Sequence, residues 1–398
     1  MHSLKRTVNE QKKIVCAFLD GIRRRLIQDS KFIHENPELG FHEYKASGRL
    51  AEELRTGGFS VEQGIGNMET ALMAEHPERR KGPTVALLGE YDALPELGHA
   101  CGHNLMGVAS LGAALALGTI KSELPGTIRF VGTPAEEGGG GKVRLIEAGV
   151  FDDLDAAMMF HPGNDTYCDG RSLAMSQVKI TFRGRSSHAA AAPENGINAL
   201  DAVIQTFVAL NALRQHIKDG SRIHGIITDG GKEPNIIPDL SQASFCVRAQ
   251  ENDYRDELLN RLRMCAEGAA LATGATPYFE VGQSYRAINP NSVLGITFSK
   301  NLTALGMSVG RWGGRMASTD MGDVSYKVPT IQPIIKIVRK ETPLHSAAFA
   351  KASASALAHD VMIKAAKALA MTAIDIVMDA KIMRRIRDEF KGKQMPVK

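Results

Sequence analysis

Two residues in the stretch GEYDALPELGHACGHN, residues 89–104, have the types and the spacing of a metal-binding pair. A single glycine separates Cys101 from His103, so both side chains can point the same way from a tight turn. A thiolate and an imidazole held in this way can bind a divalent cation. The same pair also suits a cysteine nucleophile with a histidine base. Residues two positions apart usually do not face each other, which favours the cation, and both interpretations stay open at this point.

Two acidic residues, Glu136 and Glu137, stand side by side in TPAEEGGGG. Adjacent acids usually belong to a solvated loop. Here they follow the apolar run TIRFVG, so one carboxylate can bind a metal ion while its neighbour accepts a proton from water. The glycines do not form a phosphate-binding loop, because GGGGKV lacks the spacing and the Ser or Thr of that motif. The pair therefore predicts acid–base chemistry beside a cation.

The elements that must position these residues have the pattern of an α/β fold. Short apolar runs typical of buried strands occupy residues 84–91, 127–134, 155–162 and 329–337. Helical patterns at 105–120 and 142–150 separate the first three of these runs. Because strand and helix alternate, the sequence predicts an open, mostly parallel sheet.

The carboxyl ends of the strands in such a sheet meet at one edge, where ligands bind. Chemically active side chains follow four predicted strands: Asp92, Cys101 and His103 after the first, Glu136 and Glu137 after the second, His161 after the third and His345 after the fourth. A lone histidine in either of the last two places is more often structural. The convergence of all four strand ends predicts a single site at this edge.

The pattern changes near residue 175. SQVKITFRGRSSHAA alternates apolar and polar residues, as does a strand with one solvated face. Further alternating runs and two helical segments follow, which predicts a smaller α+β domain inserted into the larger fold. The predicted boundaries are 1–175 and 289–398 for the two parts of the larger domain and 176–288 for the insert.

Composition limits the partners and the compartment. The 48 basic and 44 acidic residues give a formal net charge of only +4, so nucleic acid and anionic membranes are not expected partners. The five cysteines are scattered and odd in number, which argues against a disulfide framework. The N-terminal residues lack the apolar core of a secretory signal, and the most apolar late segment carries charges throughout. We expect a cytoplasmic protein without a membrane span.

Six ordered blocks resemble metallopeptidase family twenty: GEYDALPELGHACGHN, TPAEEG, FHPG, GRSSHAAAAPENGINALDA, EPNIIPD, and STDMGDVSYKVPTIQP with ETPLH. The similarity is greatest to its amidohydrolase branch, which includes aminoacylase-like proteins, auxin-conjugate hydrolases and p-aminobenzoyl-glutamate hydrolases. The resemblance covers nearly the whole chain. It implies a two-metal catalytic domain, formed by the larger α/β domain, and a lid domain, formed by the insert, that also holds a homodimer together.

The resemblance also implies a role for each site residue. The metal ligands correspond to Cys101, His103, Glu137, His161 and His345. Glu136 corresponds to the general base, and Asp92 to an acid that steadies the metal cluster. In the lid, His188 corresponds to a histidine that holds the reacting carbonyl oxygen and Asn235 to a residue near the substrate. Arg248 corresponds more loosely to an arginine that binds a substrate carboxylate.

Two positions depart from the wider family pattern. Asn104 follows CGH where many relatives have Asp, and Glu90 stands where more distant members place a ligand histidine. The ligands of those distant members therefore do not transfer to this chain. The stretch KIVRKETPLH before the last histidine is also rich in charge, which can alter the substrate pocket.

The sequence thus predicts a metal-dependent amidohydrolase. We expect two divalent ions, zinc or manganese, and a small substrate with a carboxylate: an N-acyl or N-aroyl amino acid, such as one like p-aminobenzoyl-glutamate, or a dipeptide. One alternative is an aminohydrolase that removes a ring substituent at the same metal site. Another is a metal-loaded binding protein without catalysis. Release of ammonia favours the first alternative, and ligand-induced stabilisation without turnover favours the second.

Overall fold

A computed structural model describes residues 6–314 and 317–394 of the chain. Its α-helices are α1 (Val8–Gly21), α2 (Arg23–Glu35), α3 (Tyr44–Thr56), α4 (His103–Gly118), α5 (Gly141–Glu147), α6 (Ala199–Leu213), α7 (Asn252–Thr273), α8 (Ser292–Ala304), α9 (Met321–Lys327), α10 (Ala347–Ala352), α11 (Ala356–Met378) and α12 (Ala380–Gln394). Its β-strands are β1 (Ser60–Gln63), β2 (Leu72–Glu75), β3 (Thr84–Glu90), β4 (Thr127–Thr133), β5 (Ala156–Met158), β6 (His161–Gly163), β7 (Ala174–Arg183), β8 (Arg222–Asp229), β9 (Leu240–Ala249), β10 (Thr276–Tyr285), β11 (Thr330–Ile331) and β12 (Ile334–Lys336). The outer ends of the predicted domain ranges, 1–5 and 395–398, lie outside the described residues.

The described chain forms two compact units. The first consists of residues 6–171, 289–314 and 323–394, and the second of residues 172–288 and 317–322. The segment 317–322 is bound within the second unit by two hydrogen bonds. The Leu173 N–H donates to the Ala317 carbonyl at 2.8 Å, and the Arg248 guanidinium donates to the Ser318 hydroxyl at 2.8 Å. The catalytic and lid roles of the domains, and their predicted boundaries, remain predictions.

The first unit is built on a six-stranded sheet with the strand order β1-β2-β4-β3-β5-β11. The four strands β4, β3, β5 and β11 are parallel, whereas β1 and β2 are antiparallel additions at one edge. Neither β1 nor β2 is predicted from the sequence, since each is only four residues long. The mixed α/β architecture with a mostly parallel central sheet confirms the predicted fold class.

Two of the predicted strands each divide in two. β5 and β6 replace the predicted strand 155–162, and β11 and β12 replace the predicted strand 329–337. β5 pairs with β11 in the central sheet, while β6 pairs with β12 in a separate two-stranded sheet. Pro333 lies between β11 and β12 and has no N–H to donate to a neighbouring strand. β5 ends at Met158, and His161 is the first residue of β6.

Helix α4 lies in the core of the first unit. Every residue from His103 to Leu117 is buried, as expected for a helix that is apolar on all sides. The helix packs against β3 and α11. Gly89 of β3 and Gly107 of α4 allow a close approach, because a Cβ at Gly89 would lie only 3.0 Å from the Gly107 Cα. This packing fixes the start of α4, which carries His103, beside the end of β3.

The late apolar segment forms α11, which packs against α4 inside the first unit. It carries His359, Lys364 and Asp375 along its length. None of the helices in residues 6–314 and 317–394 combines the length and the hydropathy that crossing a lipid bilayer requires.

The second unit is an antiparallel four-stranded sheet with the order β10-β7-β9-β8. Helices α6 and α7 pack against this sheet around a core that includes Phe182, Phe245 and Leu258. Buried and half-exposed residues alternate along the whole of β9, which is the pattern expected for a strand with one solvated face. The strand β8 forms one edge of the sheet.

Candidate metal centre

The first unit brings the predicted metal-site residues together beyond the carboxyl ends of its parallel strands. Three groups have ligand atoms that all lie within 4.8 Å of one another: Cys101, His103 and His161; Cys101, Glu137 and His345; and His103, Glu136 and Glu137. Because the groups share members, they form one cluster. The Cys101 Sγ lies 3.3 Å from Nε2 of His161, and Nε2 of His345 lies 3.5 Å from Oε1 of Glu137.

The backbone around Gly102 sets the direction of the two ligands beside it. Gly102 has a φ of 82°, in the left-handed region, and a Cβ there would lie 2.5 Å from the Pro162 Cγ. Only glycine fits this turn without strain. The N–H of His345 donates to the Ala100 carbonyl at 3.1 Å, so the fourth strand-end segment is tied directly to the same turn.

Asp92 uses both of its carboxylate oxygens on neighbours in the cluster. Oδ1 accepts a hydrogen bond from Nδ1 of His103 at 2.9 Å, and Oδ2 accepts one from the backbone N–H of Glu137 at 2.9 Å. The first bond fixes a proton of His103 on Nδ1 and directs Nε2 into the cluster, where a bound cation would replace the second proton. Burial opposes ionisation of Asp92, but the His103 charge and these hydrogen bonds outweigh it and lower the pKa of Asp92.

Sequence reasoning missed Glu43, which holds the turn in front of the acidic pair. The buried Glu43 carboxylate accepts hydrogen bonds from the Ala135 N–H at 2.8 Å and from the Thr70 hydroxyl at 2.7 Å. Ala135 directly precedes Glu136 and has a φ of 56°, a left-handed conformation that costs a non-glycine residue about 1–2 kcal/mol. Burial raises the pKa of Glu43 to about 7. No sequence motif connects two residues that lie 92 positions apart.

Sequence reasoning also missed an ion pair beneath the cluster. Glu90 and Lys142 are both fully buried, and the Lys142 ammonium lies 2.5 Å from Oε1 of Glu90. Lysine is rarely buried unless it is paired, so a lysine in the GGGGK segment is expected at the surface. The sequence therefore did not predict this contact. The second oxygen of Glu90, Oε2, lies 3.3 Å from Nε2 of His103.

The unpartnered atoms of the cluster show that it suits a cation. Within residues 6–314 and 317–394, no hydrogen-bond partner contacts the buried Glu90 Oε2, His103 Nε2 or Glu137 Oε1. Nε2 of His103 nevertheless lies 3.3 Å from the first of these oxygens and 3.9 Å from the second. Two carboxylate oxygens and an imidazole nitrogen at such distances repel unless a proton or a metal cation lies among them. Sulfur, nitrogen and oxygen donors around this point fit a divalent metal ion.

Burial and nearby charges shift the pKa values of three candidate metal ligands. Burial opposes protonation of His103, but the Asp92 charge outweighs it and raises the pKa of His103, so a cation that binds Nε2 would displace a proton. Burial lowers the pKa of His161 to about 4, which keeps that imidazole neutral near pH 7. Burial, with the nearby Glu137 charge, raises the pKa of the Cys101 thiol. A raised thiol pKa is the opposite of what activates a cysteine nucleophile, so the environment of Cys101 favours metal binding.

His188 and Asn235, predicted to act on the substrate, lie side by side in the second unit. His188 forms an isolated antiparallel bridge with Ile236, and the Ala189 N–H donates to the Asn235 carbonyl at 2.9 Å. Nδ1 of His188 accepts hydrogen bonds from two backbone N–H groups that follow it, at 3.2 and 3.1 Å. Because Nδ1 accepts, the proton of the neutral ring is on Nε2, which is then a donor. Both side chains are exposed.

Arg248, the third predicted substrate residue, lies on β9 of the second unit and is half-buried. Its guanidinium donates a hydrogen bond to the Ser318 hydroxyl, and cross-strand pairing places it opposite Met175 and Arg222. The structure gives the positions of the second-unit residues, and their roles remain predictions.

The α/β fold and this cluster define a metal-dependent hydrolase, and comparison with known proteins gives its family. Residues 86–373 match the family model for peptidase family M20/M25/M40, and the chain belongs to this family. It is 39% identical to the Xaa-Arg dipeptidase of Mus musculus over 393 residues, which are 94% of this chain and 91% of that protein. The predicted membership of metallopeptidase family twenty is thereby confirmed.

Two further similarities cover most of the chain. A p-aminobenzoyl-glutamate hydrolase polypeptide of Escherichia coli (strain K12) is 30% identical over 452 residues, covering 94% of this chain and 93% of that protein. A dinuclear metal-binding peptidase of the M20 family from Bacillus subtilis has a similar fold, with a TM-score of 0.71 and 21% identity, covering 90% of this chain and 99% of the other. The prediction of a metal-dependent enzyme that hydrolyses amide bonds is confirmed at the level of the family.

Proposed function

We propose that this protein hydrolyses the amide bond of a dipeptide, or of an N-acyl or N-aroyl amino acid, at a site that holds two zinc or manganese ions. The observation that carries this proposal is the gathering of cation-binding atoms and the Glu136 carboxylate in one cluster. Similarity to a dipeptidase and to a p-aminobenzoyl-glutamate hydrolase supports the substrate class. A dipeptide and p-aminobenzoyl-glutamate share an amide whose nitrogen belongs to an amino acid with a free carboxylate.

In this proposal the cations are held by five side chains: Cys101, His103, Glu137, His161 and His345. Divalent ions, when bound there, make water more acidic and polarise a carbonyl group. The chain contributes the fixed positions of the donors. Asp92 orients His103 so that Nε2 faces the cluster, and burial keeps His161 neutral. A metal ion would displace a proton from His103 on binding, whereas His161 is ready to donate.

Glu136 is the proposed general base. One of its carboxylate oxygens lies within 4.8 Å of ligand atoms on His103 and Glu137, which places it beside any water in the cluster. It accepts the proton that the attacking water loses and then donates it to the amide nitrogen as the C–N bond breaks. The left-handed turn at Ala135, held by Glu43, directs the carboxylates of the pair.

The second unit supplies the proposed substrate contacts. His188 presents a protonated Nε2, which suits a hydrogen bond to the carbonyl oxygen as negative charge develops there. Asn235 is held beside it and can bind a polar group of the substrate. The guanidinium of Arg248 suits the free carboxylate of the substrate.

We also propose a homodimer formed through the second unit, and a cytoplasmic location. The edge strand β8 exposes Ile226 and Ile227, at 66% and 44%, and Val208 on α6 is 55% exposed. An edge strand with exposed apolar side chains can pair with a second copy of itself. All five cysteines lie in the described residues as free thiols, which suits a reducing compartment.

The test begins with protein stripped of metal by chelation and then reloaded with Zn²⁺ or Mn²⁺. Hydrolysis of p-aminobenzoyl-glutamate, N-acetyl amino acids and dipeptides ending in arginine is measured alongside metal content. We expect metal-dependent release of the free amino acid from at least one substrate class. The Glu136→Gln variant should lower kcat by about 10²–10⁴-fold with unchanged metal content, while the exposed-residue control Glu147→Gln keeps the wild-type rate.

Two results would count against the proposal in different ways. Equal rates in the wild type and Glu136→Gln would reject the proposed base. A protein that binds two ions but hydrolyses none of these amides would reject the proposed reaction.

A further inference from the structure

The Glu90–Lys142 ion pair lies at the end of β3, where the predicted metal ligands gather. Both side chains are fully buried, and Lys142 pairs with only one of the two carboxylate oxygens, Oε1. The other oxygen, Oε2, is buried and lacks a hydrogen-bond partner within the described part of the chain. An unpaired carboxylate oxygen in a protein interior is costly, so this atom needs an explanation.

The free oxygen of Glu90 is directed into the cluster. It lies 3.3 Å from Nε2 of His103, a predicted metal ligand that Asp92 orients through Nδ1. A Glu90 oxygen also lies within 4.8 Å of a carboxylate oxygen of Glu136. Two carboxylates and an imidazole nitrogen therefore lie within reach of one another, which is an arrangement that a cation stabilises.

A second buried acid in the same unit shows what differs at Glu90. Asp29 of α2 is also fully buried, bonds Arg49 through Oδ1 at 2.7 Å and has a free Oδ2 in the part of the chain that is described. The positive charges of Arg49 and Arg25 and the negative charge of Glu53 act on Asp29, so its neighbours carry a net positive charge. Glu90 instead faces His103, a predicted metal ligand, and the Glu136 carboxylate. Burial and one free oxygen are common to both acids, but only Glu90 lies beside the predicted metal ligands.

We propose that Glu90 is a ligand of the metal centre in addition to the five predicted residues, and that Lys142 holds it to a single oxygen. This inference rests on the metal centre of the proposed function. The ammonium group occupies Oε1, so only Oε2 is available to an ion. Lys142 also balances the buried charge of Glu90 while no cation is bound.

Opposite effects on metal-induced stabilisation follow for the two partners. Glu90→Gln removes a charged ligand, so metal ions bind more weakly and stabilise the fold less. Lys142→Met leaves the Glu90 charge uncompensated in the metal-free protein, whereas a bound cation restores the balance. Metal ions therefore stabilise this variant more than they stabilise the wild type. A purely structural ion pair predicts no such difference, since its loss destabilises the metal-free and the metal-loaded forms equally.

The experiment compares five full-length, metal-free proteins: wild type, Glu90→Gln, Lys142→Met, the double variant and the control Asp29→Asn. Mn²⁺ binding is measured by calorimetric titration, and Tm is measured with and without Mn²⁺. We expect Glu90→Gln to bind at least one Mn²⁺ about 10–100-fold more weakly and to show a smaller Mn²⁺-induced rise in Tm. Lys142→Met should show a larger rise than the wild type. Asp29→Asn should keep the wild-type affinity for Mn²⁺ and the wild-type rise.

The assignment of Glu90 is overturned if Glu90→Gln binds Mn²⁺ with wild-type affinity and the same rise in Tm. The role of Lys142 is overturned if Lys142→Met shows a rise no larger than that of the wild type. Should Lys142→Met fail to fold, the double variant replaces it, because removal of both charges leaves neither uncompensated. It is expected to bind Mn²⁺ as weakly as Glu90→Gln, and wild-type affinity would overturn the proposal. A wild-type protein that binds no Mn²⁺ would instead reject the metal centre itself.

Discussion

The residues predicted to act in this protein occupy two contrasting environments. In the first unit, Cys101, His103 and Asp92 are buried, and hydrogen bonds to other segments hold His103 and Asp92 in place, while His345 at the edge of the cluster is 51% exposed. In the second unit, His188 and Asn235 are exposed and lie on two loops that backbone contacts join. A metal ion requires several donors at fixed positions before it arrives, whereas residues that meet a substrate must remain open to solvent.

The contrast also explains where electrostatic effects concentrate. Burial removes water from Cys101, His103 and His161, so neighbouring charges and desolvation shift the pKa values of all three. At exposed positions water and salt screen such effects. Substitutions in the first environment should therefore alter metal binding and stability, and those in the second should alter turnover alone.

The largest effect that this contrast predicts lies in the exposed environment. His188→Ala removes a donor to the developing oxyanion, so kcat should fall by about 10²–10³-fold. Metal content and Tm should remain at wild-type values, because the hydrogen bonds described for the His188 side chain are with the backbone of its own loop. The control is His224→Ala, an exposed histidine on β8, which should keep full activity. Loss of metal from His188→Ala would break the distinction between the two environments.

The next prediction concerns a buried acid beside the cluster. The pKa of Glu43 is raised by burial from 4.5 to about 7. The folded protein therefore binds this proton more tightly than the unfolded chain, and the stabilisation that protonated Glu43 provides is lost as pH rises from about 4.5 to 7. Between pH 4 and pH 8, the free energy of unfolding of the wild type should fall by about 3 kcal/mol relative to Glu43→Gln.

Urea unfolding of the metal-free proteins at a series of pH values measures this difference. Glu233→Gln, an exposed glutamate of the second unit, is the matched control and should follow the wild-type profile. Parallel pH profiles of the free energy of unfolding for the wild type and Glu43→Gln would show that burial does not hold Glu43 protonated.

The smallest expected effect tests how the buried ligands are oriented. In Asp92→Asn, the amide has one accepting oxygen, so it cannot serve both Nδ1–H of His103 and the N–H of Glu137. Affinity for Zn²⁺ should fall by about 10–100-fold, measured by competition with a chelator. Asp239→Asn, at an exposed position of the second unit, should leave the affinity unchanged. Wild-type affinity in Asp92→Asn would mean that Asp92 does not orient His103.

Much of the central sheet was predictable because its strands are locally encoded. The apolar run predicted at 84–91 is β3 (Thr84–Glu90), and the run at 127–134 is β4 (Thr127–Thr133). The division of the later runs was not predictable from apolar pattern alone, since β6 and β12 leave the central sheet to pair with each other. Pairing partners are chosen by the folded chain, and an apolar run carries no information about them.

The candidate site shows the same division between local and distant information. Cys101, Gly102 and His103 are neighbours in sequence, so their spacing alone indicated a shared direction. The contacts of Glu43 with Ala135 and of Lys142 with Glu90 join residues 92 and 52 positions apart, and each was missed. A glutamate and a lysine are usually exposed, so a sequence pattern assigns them to the surface unless the fold pairs them.

By itself the sequence determined the α/β class, the family and the donor atoms that strand ends deliver to one edge, because apolar periodicity and short motifs are properties of neighbouring residues. The tertiary structure alone decided which donors remain without partners, which carboxylates are buried with a counter-charge and which histidine nitrogen holds the proton. These properties depend on dehydration and on distances between remote segments, and both arise only when the chain has folded.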